Sequence, residues 1–128
     1  MTSRWISKPA LLLLHAESLA EHGGSPGIRD EGLLDAALAR PQNLVAYGQP
    51  DVAALAASYG WGIARNHPFI DGNKRAALLS IGLFLHLNDW RLTASQADTT
   101  RTMLALAAGD LPEDTLADWL RRHAAPRG

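Results

Sequence analysis

The sequence predicts an all-α fold, and three observations carry that reading. Apolar residues recur at helical spacing through one segment after another, each bounded by Ser, Asp, Gly or Pro. No strand–helix–strand unit can be traced between them. The 128 residues are 47% hydrophobic and 20% charged, the make-up of a globular domain with its own core rather than of a disordered or fibrous chain. A single domain over residues 1–128 is expected, because no repeat, low-complexity tract or linker divides the chain.

Each helix has its own start and stop signals. Ser7, followed by Pro9, is an N-cap with proline in the first turn; the helix then runs through Leu11 to Glu21 and stops at Gly23-Gly24. Ser25-Pro26-Gly27 is turn chemistry. A second helix is expected over Asp30 to Ala39, with Asp30 and Glu31 at its positive end and Pro41 closing it. From Gln42 to Gln49 the helical spacing lapses, and Leu44 and Ala46 alternate weakly with Val45 and Tyr47. That stretch reads as a loop or short hairpin.

Pro50-Asp51 restart a helix that lasts to about Asn66. Its small residues, Ala53, Ala54, Ala56, Ala57, Ser58 and Gly60, invite close approach of a neighbouring helix. The segment Lys74 to Leu87 leaves almost no polar face, yet falls short of the ~20 residues a membrane span needs, so it is expected at the centre of the bundle. Asn88-Asp89 end it, and Trp90-Arg91-Leu92 form a short extended link. Ser95, with Asp98 three residues on, opens a fifth helix reaching about Ala108. Asp110, Pro112 and Glu113 open the sixth, which reaches about His123.

Charge and composition exclude several functions. With 12 basic and 13 acidic residues the net charge is −1, which argues against a whole-surface binder of nucleic acid or anionic membrane. Direct nucleic-acid binding by the small basic end, Arg121-Arg122-His123 and Arg127, is not expected either. The absence of cysteine removes disulfides, thiol catalysis and cysteine–zinc sites. His15 and His22 stand seven apart with no carboxylate at ligand spacing, so zinc is not expected. No signal peptide or membrane segment is evident, and a cytoplasmic location is expected.

One stretch concentrates chemistry: Arg65-Asn66-His67-Pro68-Phe69-Ile70-Asp71-Gly72-Asn73-Lys74-Arg75. Pro68 pushes His67 out of helical conformation and places its imidazole in a loop. Phe69 and Ile70 are apolar anchors for that loop. Asp71-Gly72-Asn73 can take the backbone angles that aim successive N–H groups at one point, where the next helix begins. That is a natural seat for a phosphate. Lys74 and Arg75 in the first turn cost ~0.3–1 kcal/mol each beside a positive helix end, which makes sense if a polyanion binds there. The loop thus offers a candidate base in His67, a candidate Mg²⁺ ligand in Asp71, an anion nest, and three cations counting Arg65. Taken singly, Asp-Gly-Asn reads as an ordinary N-cap, His67 as a structural or merely exposed histidine and Lys74-Arg75 as a solvated helix start; only their combination brings a phosphate site level with that reading.

The run from His67 to Arg75 resembles the signature of the Fic/Doc superfamily, and its lysine variant resembles the Doc branch. The segment Gly23 to Asp30, the Val45-Ala46-Tyr47 stretch and the six-helix size fit the same branch, so the resemblance covers nearly the whole chain. It implies a compact six-helix bundle around a buried central helix, with a short flap between helices 2 and 3 at Gln42 to Gln49 that aligns a target backbone by strand addition. It implies the toxin of a toxin–antitoxin pair. The activity implied is transfer of the ATP γ-phosphate to a Ser/Thr hydroxyl of a translation factor, elongation factor Tu, which blocks translation.

In that scheme His67 is the general base and Asp71 holds Mg²⁺. Gly72, Asn73, Lys74 and Arg75 cradle phosphates, and Arg65 adds a further phosphate contact. Imidazole suits such a base at neutral pH. A Phd-type antitoxin is the implied inhibitor, because the Ser/Thr-x-x-x-Glu-Gly/Asn inhibitory motif of Fic enzymes has no match: Glu31-Gly32 is preceded by Gly27. Two positions depart from the Doc pattern, Gly72 where alanine is usual and Leu79 where asparagine is usual. They keep open the alternatives of AMP transfer, as in Fic enzymes, and of a non-catalytic module that binds nucleotide or partner.

Overall fold

Capping chemistry sets most helix starts in the computed structural model, which describes residues 3–128. Ser7 Oγ accepts the N–H of Ala10 at α1 (Lys8–His22), and Asp30 that of Leu33 at α2 (Glu31–Tyr47). Asp51 does the same for Ala54 at α3 (Val52–Asn66). No side chain caps α4 (Asn73–Leu87). After the short strand β1 (Trp90–Leu92), Ser95 caps α5 (Gln96–Ala107) through Asp98 N–H. Pro112 precedes α6 (Glu113–Arg122), whose first turn carries Glu113 and Asp114. The chain closes with β2 (Ala124–Pro126), antiparallel to β1 with Trp90 opposite Pro126 and Leu92 opposite Ala124. The all-α expectation therefore holds, with this small clasp added. No described helix is long and apolar enough to cross a membrane.

Two expectations about the elements are overturned. The second helix does not stop at Pro41 but runs through it to Tyr47. Proline forfeits one hydrogen bond, to the carbonyl of Ala37, and here its ring is fully buried in the core. Gln42 to Tyr47 therefore spend their backbone groups inside a helix, and no extended flap lies between α2 and α3. Residues 48–51 alone connect them.

The central helix is α3 rather than α4. Ten residues of α3 are buried, a continuous run from Leu55 to Gly60 among them, whereas α4 buries seven and leaves Leu78, Leu79, Leu83 and Leu87 half-exposed. Small side chains let α2, α4 and α6 all pack against α3. At Gly60 the α3–α4 approach is so close that an added Cβ would lie 2.5 Å from Ile81 Cδ1. Tyr59, fully buried, accepts the N–H of Ile6 through its hydroxyl and ties the N-terminal segment to this axis.

Candidate active site at the start of α4

The chain leaves α3 at His67, whose N–H still bonds the carbonyl of Ile63 while its backbone turns left-handed (φ 48°, ψ 53°). A non-glycine residue there costs roughly 1–2 kcal/mol, so something must hold it. Arg29 does so: Nε donates to His67 O at 2.6 Å and Nη2 to Asn66 O at 2.8 Å, capping the last carbonyls of α3. The N–H groups of Arg29 and Asp30 both reach Pro68 O, and Ile70 N–H reaches Gly27 O. Ile28 and Phe69 form an isolated antiparallel bridge. The glycine-rich connector between α1 and α2 is thus laid against the His67–Asp71 loop.

Side chains lock the loop from within. Phe69 is buried and stacks on His15 of α1, with ring centroids 3.8 Å apart. His15 Nε2–H donates to the carbonyl of Asp71 at 2.8 Å. Asp71 Oδ1 accepts Gly72 N–H, and Oδ2 accepts Ser25 N–H at 3.1 Å. Asn73 is buried, with Oδ1 accepting Phe69 N–H and Nδ2 donating to Phe69 O, each at 2.9 Å. Those two bonds fix which way its amide points. Its remaining N–H therefore faces His67 Nδ1 at 3.2 Å, so in the neutral ring Nδ1 is the acceptor and the proton sits on Nε2.

Beside this loop lies a cavity of about 460 Å³ whose polar wall is His67 and Asp71 to Arg75. The first turn of α4 opens onto it with no side-chain cap and no acidic residue, and it carries Lys74 and Arg75, both exposed. Every other helix start has either a capping oxygen or first-turn carboxylates. The first-turn N–H groups of this terminus have no side-chain acceptor, and the residues that carry them line the cavity. Gly72 (φ 76°) lets α1 lie close against this turn, since a Cβ there would sit 3.3 Å from both His15 Nε2 and Leu19 Cδ2.

The donor set fits Mg²⁺ only in company. Asp71 is exposed and each of its oxygens, with one N–H already accepted, retains a lone pair. No three His, Asp or Glu side chains converge on a metal position among the described residues. An ion held here would take its remaining ligands from substrate phosphates and water, the usual habit of Mg²⁺.

His67, Asp71, Gly72, Asn73, Lys74 and Arg75 are thus brought together around one cavity. Arg65 is not: it lines a neighbouring cavity of about 400 Å³ that also touches His67. Leu79 lines a smaller cavity with Leu14 and Ser18 of α1, which shares Arg75 with the first cavity. Asn73 spends its side chain on the loop, which leaves only its backbone N–H toward the helix start. Sequence reasoning missed His15 and Arg29. His15 is 56 residues from its partner Asp71, and neither spacing nor composition signals such a contact.

The description "Fic/DOC family" belongs to the family model that matches residues 5–85. Over 122 residues the chain is 38% identical to "Protein kinase doc" of Escherichia phage P1, covering 93% of this chain and 94% of that one. Over 119 residues it is 42% identical to "Toxin Doc" of Mycolicibacterium smegmatis, covering 88% and 89% respectively.

Proposed function

Because the chain belongs to the Fic/Doc family, we propose that it is the toxin of a toxin–antitoxin pair and a phosphotransferase acting on a translation factor. The proposed reaction moves the γ-phosphate of ATP to a Ser/Thr hydroxyl, with elongation factor Tu as acceptor, a Phd-type antitoxin as inhibitor, and the cytoplasm as the place of action. The observation that carries the reading is the uncapped, doubly cationic start of α4 facing His67 across one cavity. A site built only to bind an anion has no use for an imidazole and a carboxylate at its mouth. Phosphoryl transfer needs a positioned base, charge neutralisation and little else.

The roles follow from placement. The first-turn N–H groups of α4 and the Lys74 and Arg75 side chains hold the phosphates, and Gly72 lets them come close. Asp71 holds Mg²⁺, which when bound neutralises charge on the phosphate oxygens. The acceptor oxygen bonds the γ-phosphorus as the bond to the β–γ bridging oxygen breaks, releasing ADP, and the hydroxyl proton passes to His67. The neutral ring's only lone pair is the one at Nδ1 that Asn73 shares. The ring can act as base by giving up that bond, a step costing about 1 kcal/mol.

Intact-protein mass spectrometry of elongation factor Tu, incubated with this protein, Mg²⁺ and ATP, tests the proposal. A phosphate-sized gain is expected, falling roughly 10²–10⁴-fold in rate with His67→Ala. A nucleotide-sized gain would move the reaction to AMP transfer, and an undiminished gain with His67→Ala would remove His67 from the chemistry.

A further inference from the structure

Arg65 is the residue that the site leaves over. The cavity it lines is walled by Trp61, Leu111 and Pro112 and meets the phosphate cavity at His67. Its guanidinium carbon lies 5.0 Å from the Trp61 ring centroid, and no carboxylate pairs with it among the described residues, Asp110 in the same cavity included. Arg40, by contrast, also packs on Trp61 at 4.9 Å but is paired with Glu113 at 2.7 Å. Contact with an aromatic face holds a guanidinium in place without neutralising it. Arg65 is therefore a positioned, undischarged cation one residue pair away from the candidate base.

We propose that this second cavity is the acceptor subsite. It takes the segment of the protein substrate that carries the reacting hydroxyl, and Arg65 selects segments with an aspartate or glutamate beside that hydroxyl. The inference rests on the phosphotransfer reading and adds to it the substrate's chemical class. In-line displacement brings attacking and leaving oxygens to phosphorus from opposite sides, so nucleotide and acceptor must reach the phosphorus beside His67 from different directions. The two cavities that share His67 supply those directions. One, with an open helix terminus and two cations, suits a polyphosphate. The other is walled largely by apolar residues and holds the Arg65 guanidinium with the Asp110 carboxylate, the two not paired with each other, so Arg65 is free to engage a carboxylate of an entering peptide through paired hydrogen bonds. A nucleoside base is a poorer occupant, because two guanidinium groups already lie against the Trp61 ring.

The test is an NMR titration of the full chain with short peptides that carry a central threonine flanked by Asp, Lys or Ala, and separately with Mg²⁺–ATP. The Trp61 indole N–H, assigned with Trp61→Phe, reports on the second cavity, and the Gly72 amide on the first. The Asp-flanked peptide is expected to shift Trp61 and to bind roughly tenfold or more tightly than the Lys-flanked one. Arg65→Ala should erase that preference while leaving the ATP response of Gly72 unchanged, and Arg65→Glu should invert it. Equal binding of all peptides, or an Arg65→Ala variant that loses ATP affinity and keeps the peptide preference, overturns the proposal. The readout does not depend on turnover. Acidic-peptide preference without phosphate transfer leaves the subsite standing and sinks the phosphotransfer reading; transfer without preference does the reverse.

Discussion

At the level of single residues, the site is defined by who holds whom. The Asn73 amide, fixed by two bonds to Phe69, dictates where the neutral His67 ring keeps its proton. Nitrogen-15 shifts of the His67 side chain at a pH where the ring is neutral should show Nδ1 unprotonated and Nε2 protonated; the opposite pattern would mean that Asn73 does not set the tautomer. His15→Leu keeps apolar bulk against Phe69 but removes the donor to Asp71 O, and the loss of a part-buried bond of this kind is expected to cost about 1 kcal/mol in urea unfolding. The His67–Arg75 loop was legible in the sequence because Pro68 and Gly72 have local, obligatory backbone effects. His15 was not, because its role is created by a fold that brings residues 15 and 71 together, and nothing local encodes that meeting.

Among the elements, helix starts were the most readable feature, since a cap and its N–H lie three residues apart. Asp51 does double service, capping α3 and pairing with Arg121 of α6 at 2.7 Å. The hydrogen-bonded Arg121 guanidinium holds its carboxyl below the ordinary 3.8, against the smaller opposing effect of burial. A carboxyl lowered in the folded state lends stability that is present above the unfolded value and lost as pH falls through the folded one. Asp51→Asn, which keeps the cap, is expected to cost under about 1 kcal/mol at neutral pH, half-exposed pairs being screened, and the difference should narrow below pH 3.8. Asp51→Ala loses the cap as well and should cost about 1–2 kcal/mol at neutral pH. Helix ends were less readable. Pro41 looked like a stop, but burial of its ring against the core outweighs one lost backbone bond, a tertiary effect invisible in a local window.

For the molecule as a whole, α3 is the axis on which the site is hung. It carries Arg65 and His67 at its end, while α4 brings Asn73, Lys74 and Arg75, so the spacing of these two helices sets the width of the cavity beside His67. The sequence pointed to α4 as the centre because leucines outweigh alanines in apolar content. Close packing favours the opposite, since small residues let a helix accept neighbours on several sides. Gly60→Ala would drive a Cβ into Ile81 and is expected to cost about 1–3 kcal/mol, with a parallel loss of phosphate transfer. Combined with Ile81→Ala, it should cost less than the sum of the two single changes; strict additivity would show that the helices do not meet there.

The backbone bonds that join the α1–α2 connector to the His67 loop have a consequence for its motion. Arg29, Asp30 and Ile70 donate across the same seam, so no strand of it can open by itself. Local unfolding proceeds in cooperative units, and here the unit includes both segments. The amide of Ile70, though the residue is 56% exposed, should exchange with deuterium as slowly as those of Arg29 and Asp30. Any partner that silences this site by loosening its loop would have to melt the connector too, so blocking the cavities from outside is the easier route to control.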